Sequence, residues 1–171
     1  MNLEDVLDLC HAFHAEDLAF WLDGGWGVDA LLGQQTRQHT DLDLAVEKTA
    51  FPMFERVLAA KGYHREHRPD DPDWNPVYRN ASHCSIDLHD FVVDARGNAV
   101  LGDPREGNAY PAGALDGVGQ LGGLTVRCVA APFVLRFRAS FPPRPVDRHD
   151  VARLCERFGL AAPPQFRSGG D

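Results

Sequence analysis

Two acidic residues, Asp41 and Asp43, alternate with the apolar residues Leu42 and Leu44. In a β-strand successive side chains point to opposite faces, so both carboxylates project from one face, about 7 Å apart along the strand, and the leucines face the core. Two like charges that close raise each other's pKa and favour a compensating cation. Carboxylate oxygens are ligands that suit Mg²⁺. The pattern therefore predicts a divalent-metal site that carries phosphate groups.

A pair of glycines, Gly24 and Gly25, precedes this strand and lies just ahead of a short segment with helical spacing, residues 27–32. Because glycine has no Cβ, the backbone can approach a phosphate closely, and the amide groups and dipole at a helix N-terminus favour anions. Arg37 and His39 add hydrogen-bond donors beside the acidic strand. These residues predict a phosphate-binding region next to the metal site.

A third carboxylate would complete a two-metal site, in which metal ions hold the attacking and leaving oxygens of an in-line phosphoryl displacement. A second strand-like segment offers two candidates, Asp87 and Asp90. Alternation places Asp90 on the core-like face with Ile86 and Leu88, and Asp87 on the opposite face with His89. We therefore choose Asp87, as a metal ligand and as the general base that takes the proton from the attacking hydroxyl.

The elements that must position these residues alternate between strands and helices. No internal repeat and no linker divides the chain, so we expect one domain over 1–160, with a catalytic sheet over about 17–130, C-terminal helices over about 131–160 and a flexible tail at 161–171. Periodicity and turn residues predict helices at 3–13, 27–32, 51–60, 133–139 and 146–158, strands at 19–22, 41–46, 85–93, 98–101 and 124–129, and loops at 66–76 and 102–113.

Composition limits the function. The 171 residues are 44% hydrophobic and carry a formal charge of −8, typical of a folded domain and unfavourable for sequence-independent binding to nucleic acid. No apolar run approaches the roughly 20 residues that span a membrane. The first residues are acidic, whereas a secretory signal begins with basic residues, so we expect a cytoplasmic protein.

The four cysteines form no Cys-x-x-Cys pair and are expected to be small buried apolar residues.

The chain resembles the polymerase-β-like nucleotidyltransferase superfamily in the order of its elements. This order is a strand, Gly-Gly, a short helix, a basic pair, the Asp-x-Asp strand and a second acidic strand. The segments 23–30, 36–39 and 41–44 look like the small antibiotic nucleotidyltransferases of the lincosamide and aminoglycoside 2''-O type. The segments 86–89 and 122–128 are more similar to the lincosamide branch. The resemblance covers about Asp17 to Leu160, and it implies an α+β nucleotidyltransferase fold, a mixed twisted sheet flanked by helices with a short C-terminal helical part.

The resemblance also implies an activity. The enzyme would use Mg²⁺, as two ions, and ATP to transfer AMP to a hydroxyl of an antibiotic, with release of pyrophosphate. Position by position, it implies that Asp41, Asp43 and Asp87 are metal ligands and that Gly24, Gly25, Arg37 and His39 lie near the triphosphate.

Other functions stay open on the sequence alone, because acidic pairs also occur on solvated sheet faces and Gly-Gly in ordinary turns. One alternative is a non-catalytic nucleotide-binding regulator with this fold, and another is an enzyme that adenylylates a protein side chain. For a small-molecule acceptor, the acidic residues Asp70, Asp71 and Asp73 favour one that bears an amine. A homodimer that completes the acceptor pocket is also compatible with so short a chain.

Several further residues have both a functional and a structural interpretation. His89 is expected to touch the ligands or to be a structural donor, and Trp74 and Tyr78 to form an acceptor wall or to be core aromatics. Structural roles are favoured for the rest: a cap or ion-pair partner for Asp29, and solvated helix faces for Arg136, Arg138 and the pair His149-Asp150.

Overall fold

The computed structural model describes residues 1–67 and 72–167, and a nine-stranded sheet is the framework of these residues. The helices are α1 (Leu3–Ala15), α2 (Gly24–Leu32), α3 (Phe51–Ala60), α4 (Ala131–Arg138) and α5 (Pro145–Phe158). The strands are β1 (Phe20–Leu22), β2 (Asp41–Glu47), β3 (His64–Glu66), β4 (Val77–Arg79), β5 (Ser85–Val93), β6 (Ala99–Leu101), β7 (Ala109–Tyr110), β8 (Gly117–Leu121) and β9 (Leu124–Cys128).

The sheet is mixed, and its order is β3-β4-β5-β2-β1-β9-β8, with β6 on the far part of β5 and β7 on β6. The central pair, β2 and β5, is parallel, as is β1 with β9, whereas the other neighbours are antiparallel. In the central pair Asp43 lies directly opposite Asp87. The sequence prediction of an α+β fold with a mixed sheet and C-terminal helices is confirmed.

The core lies against the apolar face of the central strands. Leu42 and Leu44 of β2 and Ile86 and Leu88 of β5 are completely buried, as the period-two pattern predicts. Helix α1 begins after Asn2, whose side chain accepts from the backbone of Asp5 while Asp5 accepts from the backbone of Asn2 in return. Helices α2, α4 and α5 pack against one another. The C-terminal helices therefore pack against α2, which itself contacts β1, β2, β8 and β9 of the sheet.

Helix α2 begins three residues earlier than expected, which is a correction to the sequence analysis. The Gly24-Gly25 pair forms the first turn of the helix rather than a turn before it, and Asp23 is the N-cap, accepting a hydrogen bond from Gly24 N at 2.7 Å. The helix ends at Gly33, in the left-handed conformation. An N-cap aspartate outweighs the low helix propensity of two glycines.

Short strands occur where loops were expected. β3 and β4 flank the predicted 66–76 loop, and β7 interrupts the predicted 102–113 loop, which also contains a 3-10 helix at Pro104–Glu106. Strands of two or three residues are too short to show alternation, and they form because a neighbouring strand supplies hydrogen-bond partners.

The C-terminal segment is packed as far as it is described. Gln165, in a 3-10 helix at Pro164–Phe166, donates to the carbonyl of Ala139 at 2.7 Å, and Arg148 lies over the ring of Phe166. Residues 168–171 of the predicted tail lie outside the described residues, as do Asp70 and Asp71 of the acidic loop. In the parts that the structure describes, none of the helices has the length and hydrophobicity to span a membrane.

Candidate active site

Three carboxylate residues, Asp41, Asp43 and Asp87, lie at the same end of the β2–β5 pair. The register places Asp43 beside Asp87, and Asp41 lies two residues earlier on the same face of β2. Helix α2 closes the other side, since Asp23 N donates to the carbonyl of Asp43 at 2.9 Å. A Cβ added to Gly24 would lie only 1.8 Å from Asp43 Oδ2. The first turn of α2 is therefore in contact with the central carboxylate of the cluster.

The electrostatics of this cluster are unfavourable for negative charge. Burial, together with repulsion from Asp23, Asp41 and Asp87, raises the pKa of Asp43 well above its usual value, and Arg138 opposes the shift only in part. An added cation would relieve this repulsion. The mutual repulsion that the Asp-x-Asp spacing suggests is thus present in the folded chain.

The donor set fits a hard divalent cation, because all its members are carboxylates. Among residues 1–67 and 72–167, however, no three His, Cys, Asp or Glu side chains already converge as a complete metal-ligand group. The metal role of Asp41, Asp43 and Asp87 stays a prediction.

The predicted phosphate-binding residues lie around the first turn of α2. A Cβ added to Gly25 would lie 2.3 Å from His39 Nδ1 and 2.6 Å from Arg37 Nη2, so both side chains touch the helix at this glycine. His39 is buried, pairs through Nε2 with Asp29 and packs on the ring of Trp26. Asp29 is therefore the hydrogen-bond partner of His39, and its second oxygen accepts from the backbone and hydroxyl of Thr36.

Arg37 is held by a partner that the sequence analysis placed elsewhere. Its Nε and Nη2 donate to the two oxygens of Asp150, each at 2.8 Å, and Asp150 is 1% exposed. Arg138 donates to Asp150 and to the fully buried Asp147, and Arg144 also donates to Asp147. Three guanidinium groups from three parts of the chain are therefore fixed by two carboxylates of α5.

This network corrects two predictions. Asp150 and Arg138 do not belong to solvated helix faces, whereas Arg136 is exposed as predicted. A signal for the buried carboxylates exists in the sequence: residues 147 and 150 follow the helical spacing of the buried residues Val151 and Leu154, so both acids lie on the apolar face of α5.

The first turn of α2, the acidic residues of β2 and the three arginines line one cleft of about 810 Å³. Asp23, Asp41 and Asp43 form one part of its lining, Arg37, Arg138 and Arg144 form another, and aromatic rings contribute much of the rest. Asp87 lies beside Asp43 but is not among the described side chains that line the cleft. The aromatic lining residues are Trp74, Tyr110, Phe137 and Phe141.

Of the two aromatic residues that the sequence proposed for an acceptor wall, one is in the cleft. Trp74 lines it and packs on Gly102, where an added Cβ would lie 2.2 Å from the indole. Tyr78 is buried away from it and donates its hydroxyl to Glu55 at 2.6 Å.

A chain of polar contacts that sequence reasoning missed runs along the cleft. Tyr110 donates its hydroxyl to Asp23 Oδ2 at 2.8 Å, and His89 Nδ1 lies 2.8 Å from the same hydroxyl oxygen. Burial lowers the pKa of His89, against the opposing charge of Asp23, and burial together with Asp23 raises the pKa of Tyr110. Tyr110 lies in the two-residue strand β7, so no periodicity indicated it.

The mixed sheet has two parallel acidic strands, and a helix that begins with glycines lies against the first of them, in the order that the sequence resemblance to nucleotidyltransferases implies. The sequence model of the aminoglycoside-2''-adenylyltransferase family matches residues 5–154. The chain therefore belongs to this family and is a nucleotidyltransferase, which confirms the resemblance stated from the sequence.

Relatives and solved structures agree with this assignment. A lincosamide resistance protein of Staphylococcus haemolyticus is 26% identical over 152 residues, which cover 87% of this chain and 89% of the relative. A 2''-aminoglycoside nucleotidyltransferase of Escherichia coli is 54% identical over 28 residues, 16% of each chain. In both comparisons the relatives are antibiotic-modifying or resistance proteins.

Among solved structures, a lincosamide antibiotic adenylyltransferase with lincomycin bound has a TM-score of 0.75 at 22% identity, over 88% of this chain and 94% of that one. An aminoglycoside enzyme in complex with adenylyl-2''-tobramycin has a TM-score of 0.71 at 19% identity, over 90% and 87% of the two chains. At these identities the likeness shows the shared nucleotidyltransferase fold.

Proposed function

We propose that this enzyme transfers AMP from ATP to a hydroxyl of a small-molecule antibiotic, in a reaction that depends on Mg²⁺ and releases pyrophosphate. The observation that carries the proposal is the parallel β2–β5 register, which sets Asp43 beside Asp87 while the first turn of α2 contacts Asp43. Carboxylates and the N-terminus of a helix, which favours anions, are thereby close together, and this supports the proposal.

Each carboxylate has a role in this proposal. Asp41, Asp43 and Asp87 bind Mg²⁺, as two ions, which when bound offset the charge on the attacking and leaving oxygens. Asp87 also accepts the proton of the acceptor hydroxyl as the hydroxyl oxygen forms its bond to the α-phosphorus of ATP. The bond from the α-phosphorus to the bridging oxygen breaks, and that oxygen leaves with pyrophosphate.

The triphosphate is placed against the first turn of α2. Gly24 and Gly25 give the phosphates access to the helix N-terminus, where amide donors and the dipole favour anions. Three of the five N–H donors of Arg37 are used by Asp150 and by the carbonyl of Gln38, so two remain for phosphate oxygens. His39 contacts Gly25 and is locked by Asp29, and so it shapes this region as well.

The acceptor occupies the aromatic part of the cleft. Trp74, Phe137 and Phe141 present apolar surface there, and the neutral amides of Asn75 and Asn108 accompany them. The carboxylates among the described lining residues are those next to α2 and β2. This lining favours an acceptor that carries apolar surface beside its hydroxyl groups, as a lincosamide does, and the nearby carboxylates suit an amine on it.

The test is incubation of the protein with Mg²⁺ and α-labelled ATP in three parallel reactions, with lincomycin, with tobramycin and with a bacterial lysate. Label in a drug, together with release of pyrophosphate and loss of both on chelation of Mg²⁺, is the expected result. Label in a protein band and in neither drug would establish the alternative, an enzyme that adenylylates protein side chains. Absence of label in all three reactions would exclude the proposed transfer.

Three further parts of the sequence analysis stay predictions. They are a cytoplasmic location, the lack of a nucleic-acid partner and a possible homodimer. The oligomeric state can be measured by light scattering on the sample used for the labelling reaction.

A further inference from the structure

The contacts of Asp23, Tyr110 and His89 fix the proton positions along the cleft. Tyr110 O lies 2.8 Å from Asp23 Oδ2 and 2.8 Å from His89 Nδ1. His89 Nδ1 is itself 3.8 Å from Asp23 Oδ2, too far for a direct hydrogen bond. The tyrosine hydroxyl is therefore the link between the carboxylate and the imidazole.

Counting hydrogens decides which way each contact is donated. A tyrosine hydroxyl has one hydrogen, and a carboxylate only accepts. If the hydroxyl donated to His89, the oxygens of Tyr110 and Asp23 would face each other at 2.8 Å with no proton between them. The hydroxyl must therefore donate to Asp23 and accept from His89, so His89 carries a proton on Nδ1. In the neutral ring with this proton, Nε2 has the lone pair.

His89 lies in the aromatic part of the cleft, where the proposed function places the acceptor. His89 is a lining residue with 16% of its side chain exposed, and its ring forms an edge-to-face contact with Trp74, with ring centroids 6.2 Å apart. Among the described residues, the structure gives His89 Nε2 no hydrogen-bond partner. Because His89 lines the cleft, this nitrogen is accessible to a group bound there.

The position of His89 along the sheet relates it to the reaction. It lies two residues beyond Asp87 on the same face of β5, and its contact with Tyr110 links it to Asp23, the N-cap of α2. His89 is thus between the carboxylate cluster and the aromatic rings of the cleft.

From these contacts we propose that His89 is a binding residue for the acceptor: its Nε2 accepts a hydrogen bond from a hydroxyl of the antibiotic, and Tyr110 and Asp23 hold the imidazole in the tautomer that this requires. The inference rests on the proposed function and adds a specificity requirement to it. A cognate acceptor must present a hydroxyl donor to Nε2 in addition to the hydroxyl that is adenylylated.

Two substitutions separate this role from a merely structural one. The amide of asparagine is about as far from the backbone as Nδ1 of histidine, so His89→Asn keeps the contact with Tyr110 and loses the group that faces the acceptor. The amide of glutamine is about as far from the backbone as Nε2, so His89→Gln keeps the group that faces the acceptor and loses the contact with Tyr110. A structural role and an acceptor-binding role therefore predict opposite orders of damage.

The measurement is the KM and kcat of both variants for ATP and for whichever of lincomycin and tobramycin the parent enzyme labels, with thermal melting as the check on folding. We expect His89→Asn to raise the acceptor KM, or lower kcat/KM for the acceptor, by about tenfold or more, with the ATP KM within about twofold of the parent. His89→Gln should recover most of that loss.

The opposite order, with His89→Asn like the parent and His89→Gln impaired, would overturn the inference and leave the proposed function intact. An equal rise in the KM of ATP and of the acceptor in His89→Asn would overturn it too, because the residue would then act on the whole site. If the parent labels neither drug, the proposed function and this inference both fail.

Discussion

Gly24 is the position at which one added methyl group tests the site most directly. In Gly24→Ala the new Cβ would lie 1.8 Å from Asp43 Oδ2, whereas real Cβ atoms essentially never come within 3.0 Å of a neighbour. The Asp43 carboxylate, or the first turn of α2, must therefore move by more than 1 Å. A displacement of about 1 Å in a catalytic group can cost about 100-fold in rate, and we expect a loss of kcat of at least that size.

The same substitution carries a backbone cost that must be measured separately. Gly24 has φ +55°, and an alanine in the left-handed region costs roughly 1–2 kcal/mol. In a chain of this size about 1 kcal/mol shifts the melting temperature by about 2–4 °C. We therefore expect Gly24→Ala to melt about 2–8 °C below the parent.

Gly33 provides the matched control. It ends the same helix at φ +75°, and an added Cβ there has no neighbour within 4 Å. Gly33→Ala should lower the melting temperature by a similar amount while the rate of pyrophosphate release stays near that of the parent. The reasoning is refuted if Gly24→Ala turns over at the parent rate, or if Gly33→Ala loses as much activity as Gly24→Ala.

The other predictions concern the carboxylates. Asp41→Asn and Asp87→Asn should abolish labelling of the drug with near-native melting, and labelling at the parent rate in either variant would contradict the assigned roles. The raised pKa of Asp43 means that this carboxyl binds its proton more tightly in the folded state than in the unfolded state. Ionisation of Asp43 therefore destabilises the fold as pH rises above 3.8. Without divalent metal, Asp43→Asn should raise the melting temperature more at pH 8 than at pH 4. Burial raises the pKa of Asp147, but hydrogen bonds from Arg144 outweigh it and leave the pKa below 3.8. Its stabilisation is therefore present at neutral pH and lost in acid, and Asp147→Asn should cost on the order of 2–3 kcal/mol at pH 7 in urea unfolding, shrinking below about pH 4.

Local patterns were sufficient for the elements that hold the central carboxylates. The period-two alternation of residues 41–46 gave the strand and its faces, and the same alternation correctly put Asp87 and Asp90 of β5 on opposite sides. These predictions succeed because a half-buried strand forces a choice of face at every residue.

The rest of the site depends on contacts that local sequence does not encode. Arg37 and Asp150 are 113 positions apart, and the local sequence around either residue does not predict their contact. Tyr110 lies in a strand of two residues that exists only because β6 pairs with it. The early start of α2 depends on the side chain of Asp23, which competes successfully with the flexibility of the following glycines.

Under the proposed function, the two buried carboxylates of α5 account for binding of a triphosphate by a chain with a net charge of −8. Asp147 and Asp150 fix Arg37, Arg138 and Arg144 along the cleft, so the three cations lose little side-chain entropy when a phosphate arrives. Three guanidinium groups on two carboxylates leave one positive charge in excess in the cleft that the acidic residues of β2 also line. A metal-bound triphosphate carries charges of both signs and suits such a lining, whereas a free polyanion is repelled by the carboxylates. Local placement of charge, rather than the net charge of the chain, therefore decides which anions this site admits.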